Sequence, residues 1–406
     1  MSEPMGRRRF LTYAAGAAVA MTASSYGRVL GANEKIQLGI VGSGGRGRSL
    51  MKSFLKNPIV EFTAVCDVYE TYRDKGLAEA GKNAKGYGDF RKLLEDKSLA
   101  AVVIATPDHW HHDMLVESLK AGKDVYLEKP MSLSVEEGAR MVKAARAADR
   151  IVQVGMQRRS APSIHAAKKV LDGGELGEVT LARAHWYWNM PALKKERPLE
   201  GKLDWDAFRG GKSKQAVTVD GYDNVAFWNW RYFWDFSGGN MTDQGTHLMD
   251  VVQWFLNDGK PPKSAVCLGQ VQRLQPSQTP DVFSAVFEYP KFLATWTLAY
   301  TNSFKDGWQI VFQGNKATLE LDNNGYRVYP DNGRGKPLLP ASKEEKLPVP
   351  TEPHLENFLD CVRSRKEPNA PVEVGHYAVT GPHMANVAMR NHCRAILTAE
   401  GKVAAS

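Results

Sequence analysis

The 406-residue sequence predicts an α/β protein: a doubly wound parallel sheet first, then a second domain of different rhythm. Three observations carry this. Short, largely apolar runs alternate with helix-spaced stretches between residues 33 and 155, as strands covered on both faces do. A glycine-rich turn, Gly42-Ser43-Gly44-Gly45-Arg46-Gly47, joins the first run to the first helical stretch. From residue 156 the alternation gives way to successive strand-like runs joined by turns. A hydrophobic content of 43% and a charged content of 24% fit a globular chain and exclude a disordered or fibrous one.

Residues 1–32 read as an address. Arg7-Arg8-Arg9-Phe10-Leu11 precedes an alanine-rich apolar run from Tyr13 to Ala23, the order of a secretory signal of twin-arginine type. That run is too short for a membrane span, and cleavage near Ala32 is expected to leave a soluble, exported, periplasmic protein. Arg7, Arg8, Arg9 and Arg28 against Glu3 give the segment +3 of the chain's +8. The remainder is modest and lacks a basic run interleaved with aromatics, so nucleic acid is not an expected partner. Cys66, Cys267, Cys361 and Cys393 are too dispersed for a zinc site or a disulfide framework.

The ordered part begins at Ile36–Val41, a buried-strand run that stops at Gly42. In the Gly42-x-Gly44-x-x-Gly47 turn the first glycine permits the bend, the second admits a pyrophosphate against the backbone, and the third lets helix approach strand. The free N–H groups at the start of a helix near Ser49–Leu55 would then meet phosphate, with Ser43, Gly45 and Arg46 beside it. Val60–Cys66 is the next strand, and Asp67 at its end is placed to accept hydrogen bonds from ribose hydroxyls, which favours NAD over NADP. Strands at Ala100–Thr106, Asp124–Glu128 and Ile151–Gly155 follow, with helices near Met114–Ala121 and Val135–Ala148. This is a Rossmann pattern, with ligand expected where Thr106, Pro107, Glu128 and Lys129 end their strands.

Beyond residue 156, Ala161–Leu171 reads as a helix and Gly177–Tyr187 as a strand. Lys194–Asp223 reads as a loop or lid, and 265–322 as further strands. Residues 330–353 read as an extended surface connection, and helices near His354–Ser364 and Gly375–Leu397 close the fold. Asp243 and His247 stand four apart, hence on one face of a helix. The run Asp108-His109-Trp110-His111-His112-Asp113 does not predict a metal site, because neighbours on a turn rarely converge on one ion. The aromatics of His185–Trp188 and Phe227–Trp234 are expected to divide between core packing and stacking against sugar C–H faces.

In this order and spacing, Gly42–Gly47, Ala105-Thr106-Pro107 with His111, Glu128-Lys129-Pro130, and Gly238-Gly239 followed by Asp243 and His247 resemble the glucose–fructose oxidoreductase/inositol dehydrogenase family. The resemblance spans nearly everything after residue 32. It implies a C-terminal α+β domain, 156–406, built on a large, open, mostly antiparallel sheet that often forms a homo-oligomer interface. It implies a nicotinamide cofactor contacted by Gly42, Ser43, Gly44, Gly45, Arg46, Asp67, Thr106, Pro107, His111, Glu128, Lys129 and Gln157. Lys129, Asp243 and His247 become the catalytic set, with Arg159, Tyr187, Trp230 and Arg231 as substrate contacts. The expected reaction is hydride transfer between tightly bound NAD (or NADP) and a hydroxyl of a sugar, sugar derivative or polyol, with His247 as base and Lys129 stabilising the oxygen. Two alternatives stay open. One is an NAD-dependent glycoside hydrolase working by transient oxidation and elimination, a branch that tends to lack the lysine; the other is a non-catalytic nucleotide-binding protein.

Overall fold

The computed structural model describes residues 35–193, 198–211 and 224–406. The expected signal segment, and the parts of the expected lid at 194–197 and 212–223, lie outside the described residues. Six strands form a parallel sheet: β1 Ile36–Val41, β2 Val60–Cys66, β3 Lys85–Tyr87, β4 Ala101–Ile104, β5 Asp124–Leu127 and β6 Val152–Val154, in spatial order β3-β2-β1-β4-β5-β6. Every residue of β4 and β5 is buried, which explains why those runs show no alternation: helices cover both faces. The strand order reverses between β1 and β4, and the carboxyl ends of those strands open the crevice where such sheets bind ligand.

The connecting helices are α1 Gly45–Phe54, α2 Glu70–Ala80, α3 Phe90–Leu94, α4 His111–Lys120 and α5 Val135–Ala148. Ser134 caps α5 by accepting the Glu137 N–H at 3.2 Å. Helices α2 and α3 and strand β3 escape sequence reading. Helix α2 alternates charge with small residues and buries only Gly76, so it has no apolar stripe to find, and β3 is three residues at a sheet edge.

The second domain contributes α6 Pro162–Asp172, β7 Val179–Tyr187, α7 Trp205–Arg209, α8 Asn224–Trp228 and α9 Gly239–Leu256. It continues through β8 Ser264–Gln270, β9 Val282–Glu288, β10 Leu293–Ala299, β11 Gly307–Gly314, β12 Ala317–Asp322, β13 Gly325–Pro330 and β14 Lys343–Lys346. Helices α10 Glu352–Ser364 and α11 Val372–Asn391, then β15 Ala395–Leu397 and β16 Val403–Ala405, complete it. Its ten strands form one open sheet, β14-β13-β12-β11-β7-β10-β9-β8-β15-β16, antiparallel except for the β7/β10 pair. Thus 330–353 is not wholly a connection, since its Lys343–Lys346 stretch adds an edge strand. One face alternates inward, with Ala294, Trp296 and Leu298 buried beneath α9 and α11, while Ser284 and Thr297 pair hydroxyls on the other face. A Cβ at Gly245 would meet the Trp296 indole at 2.8 Å, so a glycine is what lets α9 lie this close to β10.

The two domains are not separated at one boundary. Helix α10 returns to the first sheet, where Leu355, Phe358 and Leu359 join the core of β1, β2 and α1. Its buried His354 holds the Val154 carbonyl of β6 at 2.9 Å. This return fixes the second sheet against the strand ends that form the site.

Candidate active site

The glycine loop is shaped by backbone contact. Gly42 has φ of 88°, and a Cβ there would lie 2.7 Å from the Ala105 carbonyl. A Cβ at Gly47 would strike the Gly42 carbonyl at 1.9 Å, whereas one at Gly45 would meet nothing within 4 Å. The loop is therefore packed from below and open above. Helix α1 has no side-chain N-cap, so its first N–H groups face the opening without an acceptor among the described residues. Asp67 lies beside it, Oδ2 accepting the Ser43 N–H at 2.8 Å and Oδ1 the Tyr69 N–H at 2.9 Å. Burial pushes the Asp67 carboxyl up to about 6, and the Tyr69 and Ser43 N–H groups oppose that rise. Unclaimed helix N–H donors for phosphate, with an acceptor for hydroxyls one strand away, fit a dinucleotide.

These groups line a cavity of about 830 Å³ that runs from Asp67, Arg73 and Arg91 past Gly44, Thr106 and Pro107 to Trp230 and Arg231. Part of the expected lid forms its far wall. Leu203 bridges Tyr69, the Asp204 N–H reaches the Val68 carbonyl at 3.0 Å, and Ala207 and Phe208 of α7 face the cavity. The Phe208 carbonyl accepts the Trp110 indole N–H at 2.8 Å, which ties this wall to the turn after β4.

At the end of β5, Lys129 meets the second domain. Its Nζ lies 2.5 Å from Asp243 Oδ1 and donates to the Asp243 carbonyl at 3.0 Å. Arg231 Nε pairs with the other carboxylate oxygen at 3.0 Å. Burial alone would raise the Asp243 carboxyl, but Arg231 and Lys129 outweigh it and hold the group at about 2. His247, one turn further along α9, is buried and makes no hydrogen bond or ion pair among the described residues. Burial, then the charges of Lys129, Arg158 and Arg46, push its basicity well below the ordinary value of 6.5. The imidazole is neutral at pH 7 and able to take a proton.

Other expected contacts fall in different places. Arg46 crosses to Glu128, with Nη2 and Oε1 2.7 Å apart, tying the glycine loop to the end of β5. Gln157 begins the turn after β6, its buried Oε1 without a partner among the described residues. His111 is fully buried and absent from the cavity wall; Nδ1 faces the Pro130 carbonyl at 2.7 Å and Nε2 the Thr106 carbonyl at 3.0 Å, so it links two strand ends. Arg159 is committed to Asp250 at 2.7 Å. Tyr187 stacks on His185 at 4.3 Å, two residues along β7 and on the face opposite buried Trp186. The other members of the Asp108–Asp113 run diverge: Asp108 accepts the Ser237 hydroxyl at 2.6 Å, and His112 pairs with Asp113. In the tryptophan-rich run Phe227 and Phe233 pack with Tyr69 and Phe208, and Phe227, Trp228 and Trp230 line the cavity.

Two features went unseen in the sequence. Asp108 is a buried carboxyl that burial pushes up to about 7, the Ser237 hydroxyl and Arg231 opposing, and nothing local marks it because Ser237 is distant in sequence. Arg158 and Arg159 are adjacent, and only packing decides which of them finds a carboxylate.

A nucleotide crevice at a Rossmann switch point, with a strand-end lysine that meets an aspartate and a histidine from a second domain, defines a nucleotide-dependent oxidoreductase as a class. Residues 36–156 match the family model for the oxidoreductase family with an NAD-binding Rossmann fold, and residues 211–320 match the GFO/IDH/MocA C-terminal domain. The chain belongs to the GFO/IDH/MocA oxidoreductase family, and its N-terminal domain binds NAD. Inositol 2-dehydrogenase of Salmonella typhimurium is 31% identical over 155 residues, 37% of this chain and 46% of that protein. A glycosyl hydrolase family 109 protein of Saccharopolyspora erythraea is 35% identical over 122 residues, 28% of this chain and 27% of that one. The chain thus aligns with about half or less of these relatives' length. Among solved structures, levoglucosan dehydrogenase with NADH superimposes with a TM-score of 0.70 at 13% identity, covering 90% of this chain and 100% of that one. The WlbA dehydrogenase of Bordetella pertussis with NADH and UDP-GlcNAcA gives 0.68 at 20% identity, covering 90% and 99%. At these identities the likeness is one of fold. Among the described residues no helix is long and apolar enough to cross a membrane.

Proposed function

We propose that the protein oxidises and reduces a carbinol carbon of a sugar, sugar derivative or polyol, with a tightly held NAD as hydride carrier. The observation that carries this is the 2.5 Å Lys129–Asp243 contact, which joins the end of β5 to the helix bearing His247. When bound, the nicotinamide supplies the hydride acceptor. His247, neutral and uncommitted, takes the hydroxyl proton as the carbinol becomes a carbonyl. Lys129 Nζ donates to the same oxygen and offsets its developing negative charge. Asp243, ionised throughout the working pH range, keeps Lys129 aimed, while the glycine loop and Asp67 hold the nucleotide. In the reverse direction His247 returns the proton.

The relative in glycosyl hydrolase family 109 favours a second reading, in which oxidation, elimination and re-reduction give net hydrolysis. Purified protein is incubated with glycosides and free sugars while products are followed by NMR and the nucleotide by absorbance. A keto-sugar supports dehydrogenation. Free aglycone with unoxidised sugar supports the hydrolase, and no change in either would sink both. The Arg7–Ala23 pattern supports export by the twin-arginine route with nucleotide already inside. Fusing residues 1–32 to a reporter should move it to the periplasm only while Arg8 and Arg9 are present. Exposed Val266, Leu268 and Leu293 on the outer face of the large sheet support a homo-oligomer through that face, to be checked by light scattering.

A further inference from the structure

Two consecutive arginines occupy the turn Gln157–Ser160, and one buried carboxylate, Asp250, serves them. Arg159 takes it, through Nε at 2.9 Å and Nη2 at 2.7 Å, and lies 4.6 Å over the Trp254 ring. Arg158 is only 6% exposed, yet its side chain has no hydrogen-bond or ion-pair partner among the described residues. Its guanidinium sits 4.3 Å from the Trp308 ring centroid and 5.8 Å from that of Trp186. Burial brings its pKa down to about 9, with Asp250 opposing. The other carboxylates near the site are taken: Asp243 by Lys129 and Arg231, Glu128 by Arg46.

A guanidinium presents five N–H donors in a planar fork that matches a carboxylate. Aromatic rings recover part of its lost hydration but do not satisfy those donors. The fork is flanked by two indoles, which restrict its rotation. It is also close enough to His247 to be the next charge after Lys129 in lowering that imidazole. We infer that Arg158 receives a carboxylate of the substrate, so that the preferred substrate is an acidic sugar, a uronate or aldonate, in place of a neutral sugar or polyol. This rests on the oxidoreductase reading for its chemistry, though the anion site stands on the geometry of Arg158 itself. A carboxylate seated on a fixed fork would set which carbon of the sugar faces His247.

The test uses NAD-loaded full-length protein with D-glucuronate and D-glucose as probes, binding measured by calorimetry and nucleotide reduction by absorbance. Glucuronate should bind about 10- to 100-fold more tightly than glucose. Arg158→Gln should bring that ratio to about one, and Arg158→Lys should restore part of it, with bound nucleotide retained in both. Equal affinities in the wild type, binding of neither probe, or a ratio unmoved by Arg158→Gln would overturn the inference. The wild-type ratio decides even if a variant does not fold. Glucuronate held through Arg158 without nucleotide reduction would refute the oxidoreductase reading and leave the carboxylate site standing. Reduction driven by neutral sugar alone would do the reverse.

Discussion

Replacing Lys129 by methionine keeps most of the stem's volume and deletes one charge. The ammonium lies 2.5 Å from Asp243, at side-chain exposures of 13% and 7%. Asp243 held at about 2, against an ordinary 3.8, contributes roughly 2–3 kcal/mol to the folded state above pH 4. Because the folded value is depressed, that stability is present above 3.8 and lost as pH falls through about 2. Arg231 and Lys129 share the effect, so the variant should lose about 1–2 kcal/mol, a few degrees of Tm, with Arg231 still pairing the carboxylate. Turnover should suffer more, by about 10²- to 10⁴-fold, since the oxygen that becomes a carbonyl loses its cation. The assay is single-turnover reduction of the resident nucleotide, with whichever sugar the wild type oxidises, alongside nucleotide content after denaturation. A variant that keeps its nucleotide and turns over within about threefold of wild type would refute the role of Lys129.

Gly47→Ala places a methyl 1.9 Å from the Gly42 carbonyl and should cost about 1–3 kcal/mol together with the bound nucleotide, checked by thermal melting and by absorbance of the released cofactor. Asp67, pushed up to about 6 by burial, should bind ribose hydroxyls best when ionised, so nucleotide affinity should weaken as pH falls through about 6, and Asp67→Asn should flatten that dependence in a calorimetric titration. Asp108 is raised to about 7, so its favourable contribution is complete below its unfolded value near 3.8 and is lost as pH rises through about 7. Asp108→Asn should therefore lose less Tm between pH 5 and pH 8 than the wild type, and an unchanged pH profile would show that the carboxyl is not raised.

The Rossmann half was legible because its constraints are local. Strands buried on both faces are largely apolar, and a dinucleotide loop must be glycine where backbone meets backbone, so β1, β4 and Gly42–Gly47 announce themselves. Asp243 and His247 could be placed on one helix face by spacing alone. Phase within β7 could not be read, because alternation says that neighbours face apart without saying which face is the core. Tyr187 consequently lies on the face opposite Trp186.

What the sequence by itself determined is the identity of the chemical groups and their order along strand ends and helix faces, since periodicity and glycine sterics act over a few residues. Tertiary structure decided their partners. Lys129 and Asp243 are 114 positions apart and Arg46 and Glu128 are 82 apart, and the packing of α10 and α11 onto the first domain holds together the two domains that join the first pair. The same packing gave Asp250 to Arg159 and left Arg158 without an acceptor among the described residues. Charge pairing in a buried site depends on distance in space, and no local pattern in the chain encodes that distance.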